Sequence, residues 1–434
     1  MHGADNEQWA RAFSFRRFEY SRSTVGMNRM RVIVLNDYGF VNGGASQVAI
    51  SSLNYLAEAG LDVRFISSVG PVDPGINPNL VSIVNFGFHD LMGNPSRIEA
   101  SLRGLWDSQC ARRLQESLRD CNPSNTIVHL HSWVKSLSPS VVRVATSRGF
   151  KVVCTLHDYF TVCPNGGLYN FPQRKQCKIR PMSLECIATN CDSRSYTQKL
   201  WRVGRHAVQS GLGKIPGAIR YFITVSDYSE SIMRPLLPSD SRFFRVSNPI
   251  DIDKLPIADV GSQRLFAFIG RLSHEKGADV FAAAAQLANV PALFVGSGEQ
   301  DKAIRGINPS AELRGWQNRA EVIRAIRSSR AVVFPSLWHE TQGLVVQEAA
   351  ALGVPAIVAD SCAARESIIN GESGLLFRSG DVSDLSAKLT LLRDQPELAQ
   401  RLGRTAYARY WSAPSTIDQH TKQLIDCYIN IFKN

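Results

Sequence analysis

Short apolar runs alternate with helix-forming stretches twice along this chain, and that double series leaves few folds open. Runs at 31–35, 63–67, 127–131, 152–156 and 221–225 make the first series; 265–269, 292–295, 331–334, 356–359 and 374–377 make the second. Runs this short and continuous, bounded by turn residues, read as strands buried on both faces. Strands spaced by helices point to parallel sheets in α/β domains. Between the series, Ser247-Asn248-Pro249-Ile250-Asp251 has the turn residues of a linker. At 434 residues the chain is too long for one ordinary core. The expectation is α/β architecture: two doubly wound domains, with ligands in the cleft facing the carboxyl ends of both sheets.

With 44% hydrophobic and 20% charged residues the chain is ordinary globular material. No apolar run approaches the roughly 18 residues of a membrane-spanning helix. Residues 1–26 lack the apolar centre of a signal peptide. Residues 1–30 read as a flexible extension, or as an upstream start before Met27 or Met30, and the protein is expected to be cytoplasmic. The net charge of +11 is uneven: residues 1–253 carry 29 Lys and Arg against 20 Asp and Glu. Arg194, Lys199, Arg202, Arg205, Lys214 and Arg220 surround Tyr196, Leu200, Trp201 and Val203. Such a stripe suits an anionic membrane surface on the inner face, or equally a solvated helix face packed on the core. No recognition motif accompanies the charge, so nucleic acid is not an expected partner.

The most informative stretch is Pro335-Ser336-Leu337-Trp338-His339-Glu340, followed by Thr341-Gln342-Gly343-Leu344-Val345-Val346-Gln347-Glu348. A strand ends in Pro-Ser, and a helix running from Gly343 is stopped by Gly353 and Pro355. Glu340 then lies on the loop and Glu348 on the second helical turn. Free N–H groups at Gly343, Leu344 and Val345 offer a seat for phosphate. This segment resembles the E-x7-E signature of retaining family 4 glycosyltransferases of the GT-B fold. Phe268-Ile269-Gly270-Arg271-Leu272-Ser273-His274-Glu275-Lys276-Gly277 is similar to that family's strand-to-helix segment. Val295-Gly296-Ser297-Gly298-Glu299, Gly353-Val354-Pro355, Asn370-Gly371-Glu372-Ser373-Gly374 and, near the start, Asn42-Gly43-Gly44-Ala45 follow in the family's order.

The resemblance implies two Rossmann-like domains, an acceptor domain at 31–248 and a donor domain at 249–410, with a tail at 411–434 crossing back. It implies a nucleotide-diphosphate sugar as donor, a glycan or lipid-linked hydroxyl as acceptor, transfer with retention in polysaccharide synthesis, and no cofactor for catalysis. Arg271 and Lys276 are then the cations that neutralise a departing diphosphate; on exposure alone they would be surface charges. Glu348 accepts from ribose hydroxyls, and Glu340 contacts the donor sugar near its reacting carbon. Thr341-Gln342 departs from the small and aromatic pair of many relatives, so the donor sugar does not transfer. His157 ends a strand and is expected at the reaction centre, with Asp158 on the acceptor side; alone, such a histidine is commonly structural. Gly43 and Gly44 permit close approach of donor phosphate. Asp251-Ile252-Asp253 has too sparse a ligand set for metal.

Five of the nine cysteines are scattered, while Cys163, Cys177, Cys186 and Cys191 cluster in an insertion at 159–195. The insertion resembles one in a surface-polysaccharide subset of the family. Four thiols in a reducing compartment suggest a structural zinc, against disulfides or unpaired thiols. Two other functions fit parts of the pattern. A sugar-nucleotide epimerase on the same scaffold would need no acceptor, and a zinc-stapled binding protein would need no intact donor site.

Overall fold

The computed structural model describes residues 30–433. The expected extension at 1–30 therefore lies, apart from Met30, outside the described residues.

The first lobe carries β1 (Arg31–Tyr38), β2 (Asp62–Val69), β3 (Val81–Asn85), β4 (Thr126–Leu130), β5 (Lys151–Thr155), β6 (Tyr169–Asn170), β7 (Lys175–Gln176), β8 (Tyr221–Thr224) and β9 (Arg242–Arg245). Seven of these form one parallel sheet in the order β3-β2-β1-β4-β5-β8-β9. β6 and β7 form a small antiparallel hairpin of their own. Alternation along β1 explains why its sequence is apolar throughout. Val32 and Val34 enter one core with Leu53 and Phe65, while Ile33 and Leu35 enter the other with Val128 and Phe222.

The second lobe carries β10 (Leu265–Ile269), β11 (Ala292–Val295), β12 (Glu312–Leu313), β13 (Ser329–Phe334), β14 (Ala356–Ala359) and β15 (Gly374–Phe377), ordered β12-β11-β10-β13-β14-β15 and again parallel. In both sheets the order reverses beside the first strand, between β1 and β4 and between β10 and β13. These switch points open crevices at the carboxyl ends of the strands.

The helix Ile417–Lys433 packs on the first lobe and buries Leu424, Ile425, Tyr428 and Ile431 there. Tyr428 Oη lies 2.7 Å from Nδ1 of His129 on β4, and Lys151 Nζ donates to the carbonyl of Ile431 at 2.7 Å. His420 lies 2.7 Å from the Ser247 carbonyl, so the tail is tied to the crossover between lobes.

Candidate active site

Two strand-to-helix loops of the second lobe meet at its switch point. After β10 the chain passes Gly270 and Arg271, makes a 3-10 turn at His274–Lys276, and enters the helix Ala278–Ala288 through Gly277. Gly277 has φ +71°, and a Cβ there would lie 2.1 Å from the Pro335 carbonyl oxygen. Only glycine lets these loops touch. After β13, residues 335–342 lead to Gly343, at φ +103°, and to the helix Leu344–Leu352. The close fit brings Lys276 Nζ to 2.6 Å from Glu340 Oε1, and Ser336 Oγ donates to the same oxygen at 2.9 Å. Glu340 is 7% exposed. Lys276 also stands 5.1 Å from the centre of the Trp338 ring. Around this pair, Trp338 Nε1, Tyr159 Oη and Gln342 Oε1 are buried without hydrogen-bond partners among the described residues, an arrangement that proteins rarely leave unfilled.

Arg271 lies in the same loop, 65% exposed, and bonds Glu275 at 2.7 Å. Glu348 is held by Arg319, whose other guanidinium nitrogen donates to the Asp251 carbonyl at 2.8 Å. Arg319 is a partner that sequence reading missed. The N–H groups of Gly343, Leu344 and Val345 open the helix beside Glu340, as a phosphate seat requires. Gly43 and Gly44 begin the helix after β1 and face open space.

The first lobe contributes His157 and Asp158, just beyond β5. His157 Nε2 lies 3.0 Å from His131 Nδ1, and their rings stack at 5.2 Å. Burial pulls the His157 imidazole down to about 3, so it is neutral near pH 7. Burial pushes the Asp158 carboxyl up to about 6 against the lowering effect of the Phe160 N–H. Thr341 Oγ1 donates to the His157 carbonyl at 3.2 Å, which joins the Glu340 loop to the histidine across the cleft. Tyr228 Oη lies 2.7 Å from His339 Nδ1 and also bonds the Ser361 carbonyl. Gln176 of the β7 strand donates to the Ser361 carbonyl at 2.8 Å, and Arg174 pairs with Asp279. The insertion thus reaches the second lobe. Nothing in its irregular sequence marks Arg174 or Gln176 for that contact.

All four cysteines of the insertion are free thiols. Lys199, with no exposed surface, donates to Cys186 Sγ at 3.4 Å and Cys191 Sγ at 3.3 Å. Asn165 bonds Cys191 Sγ at 3.3 Å and accepts from Cys163 Sγ at 3.2 Å. Among the described residues no group of three or more His, Cys, Asp or Glu is arranged to hold a metal ion. As placed, two of the four thiols, Cys186 and Cys191, close on an ammonium group and a third, Cys163, on an amide oxygen.

Residues 42–254 match the profile of Glycosyltransferase Family 4, and residues 252–409 match that of Glycosyl transferases group 1. The chain is 30% identical over 223 residues to the glycogen synthase of Mycobacterium tuberculosis, covering 48% of this chain and 53% of that protein. The match thus spans about half the length of that relative. The fold is similar to that of a sucrose-phosphate synthase from Thermosynechococcus elongatus (TM-score 0.66, 17% identity, 93% of this chain and 100% of that one). It is also similar to Anabaena Alr3699/HepE in complex with UDP-glucose (TM-score 0.61, 16% identity, 92% and 100%). With consecutive profiles reaching from 42 to 409 over two parallel α/β lobes, the chain belongs to glycosyltransferase family 4 and has the GT-B fold.

Proposed function

We propose that the protein transfers a sugar from a nucleotide-diphosphate donor to a hydroxyl of a glycan or lipid-linked acceptor, with retention at the anomeric carbon, in polysaccharide synthesis. It does so in the cytoplasm, at the inner membrane face when the acceptor is lipid-linked. Among the described residues no helix is long and apolar enough to cross a membrane. The observation that carries the reading is the Lys276–Glu340 pair at 2.6 Å, set at the switch point and ringed by unpartnered polar atoms. A sugar supplies hydroxyls for those atoms and a diphosphate supplies negative charge for Lys276 and Arg271. The HepE structure holds UDP-glucose on the same fold.

In this reading the anomeric C–O bond to phosphate breaks while the acceptor oxygen bonds that carbon from the same face. The acceptor proton passes to the departing phosphate oxygen, so no protein base is required. Lys276 and Arg271 disperse charge on the leaving group. Glu340 orients the sugar, and Glu348 accepts from the ribose. Neutral His157 gives or takes a hydrogen bond at the acceptor side without moving a net charge. Gly43 and Gly44 leave room for phosphate oxygens from the facing lobe.

A panel of UDP-, GDP- and ADP-sugars, scored by thermal shift and then by hydrolysis, tests the proposal. Stabilisation and slow hydrolysis with one of them is the expected result. An epimerised nucleotide sugar from donor alone would replace this reading, and no response to any donor would end it.

A further inference from the structure

A cavity of roughly 370 Å³ opens on the first lobe next to the acceptor side of the cleft. Arg97, Lys135, Arg194, Arg202 and Arg205 line it together with Trp201, and among the described residues none that lines it is acidic. Its floor follows the carboxyl ends of the central strands. Lys135 lies on the loop after β4, and Phe160 lies two residues beyond Asp158. The helices Arg97–Leu105 and Tyr196–Gly211 close the far side.

Among the described residues one of the five cations has an acid in salt-bridge contact: Arg202, with Asp192 at 3.0 Å. Arg97 donates to the Met92 carbonyl at 3.2 Å, Arg194 to Met92 Sδ at 3.4 Å, and Arg205 to the Val134 carbonyl at 3.2 Å. Arg205 is 7% exposed and sits between the rings of Phe160 and Trp201, 5.2 and 5.3 Å from their centres. The Trp201 indole N–H is buried and has no hydrogen-bond partner among the described residues. Burial and the neighbouring Arg202 pull the Arg205 guanidinium down to about 10. The Asp37 and Asp158 carboxylates act on Arg205 without a salt bridge to it, and a buried guanidinium with no carboxylate in contact, beside the like charge of Arg202 and an unused donor, is costly in the free protein. A bound anion relieves all three costs together. Guanidinium forks match phosphate oxygens in pairs, and several unpaired cations outnumber the single charge of a carboxylate.

We propose that this pocket binds a phosphate or diphosphate group carried by the acceptor. The proposal rests on the glycosyltransferase reading above, which makes this lobe the acceptor lobe. Arg205 and the Trp201 N–H hold the inner oxygens, while Arg97, Arg194 and Lys135 hold the outer ones. Ile98 and Leu102, exposed one turn apart on the helix that carries Arg97, give the pocket an apolar neighbour suited to a lipid chain.

The test is calorimetric titration of inorganic pyrophosphate into the full chain carrying K276A, which removes one of the two cations of the donor clamp. Saturable binding is expected, weakened about tenfold or more by adding R97A and R194A together, and likewise by adding R205Q. Arg97 and Arg194 are exposed, so the double substitution keeps the test readable should R205Q fail to fold. Equal affinity with and without R97A and R194A, or no binding to K276A protein, overturns the pocket. Vesicles of phosphatidylcholine with and without a long-chain prenyl diphosphate, beside a soluble sugar diphosphate, separate the sources. For a lipid-borne group, I98S/L102S weakens vesicle binding and leaves pyrophosphate binding intact. For a soluble one, the two diphosphates bind alike and the serines change nothing. Nucleoside diphosphate binding to unsubstituted protein is read in parallel. Nucleotide bound without pyrophosphate sinks the pocket alone, whereas no nucleotide bound sinks the glycosyltransferase reading.

Discussion

Lys276 and Glu340 illustrate how far a single residue can be read without coordinates. Their spacing from a strand end and a helix start placed both on cleft-facing loops, and the structure joins them in one hydrogen bond. Arg319 escaped because an arginine at the start of an amphipathic helix looks like any surface cation; only the fold brings it to Glu348. K276A is expected to lower donor turnover by about two orders of magnitude or more, as when a leaving-group clamp is lost; steady-state rates on the best donor check it. E348A is expected to weaken nucleotide binding about tenfold by calorimetry, the loss of a charged acceptor. Asp158 gives a pH test. Its folded carboxyl titrates near 6, above the ordinary value, so the folded chain holds more protons than the unfolded one between about 4 and 6. Stability from this group is therefore present at low pH and lost as pH rises through 6. D158N is expected to match the unsubstituted melting temperature near pH 4 and to exceed it by a few degrees at pH 7. A gap that widens towards acid would contradict the assignment.

At the scale of elements, legibility followed burial. β1, β10 and β13 are buried on both faces, so their composition announces them. β3 and β9 lie at sheet edges, where half-exposed residues blur the pattern, and Arg242 and Arg245 at the ends of β9 hide it further. β12 and the β6–β7 hairpin span two residues per strand, too few to show any period. The insertion is legible in the sequence as a cysteine cluster, whereas Lys199, just beyond it on the helix Tyr196–Gly211, reads as part of that helix's basic stripe. Its ammonium now fills the space between Cys186 and Cys191. Elemental analysis of protein purified under reducing conditions without chelator is expected to show no stoichiometric zinc. About one zinc per chain would mean that Lys199 leaves the thiols and that the metal expected from sequence organises the loop instead.

For the whole molecule, the lobes meet through few but specific bonds. Tyr228 bonds His339 and the Ser361 carbonyl, and the N–H groups of Asp227 and Tyr228 reach Glu366, which also lies 3.7 Å from Arg245. Thr341 reaches His157, and the insertion adds Gln176 and Arg174. These contacts flank the Lys276–Glu340 pair, so in the proposed reaction closure both assembles the site and excludes water that would hydrolyse the donor. Among the described residues Trp338 packs against the core of the first lobe, but no apolar cluster on the scale of those within each lobe spans the cleft, which gives polar cross-lobe bonds a large share in the control of opening. Y228F/E366Q, which removes the hydroxyl and the carboxylate charge but neither side chain's bulk, is expected to favour the open arrangement. The ratio of donor hydrolysis to transfer should then rise several-fold, with a larger radius of gyration in solution scattering when donor is bound. An unchanged ratio with a larger radius would show that water exclusion is local to the Glu340 loop, and the closure account would be wrong even though the hinge moved.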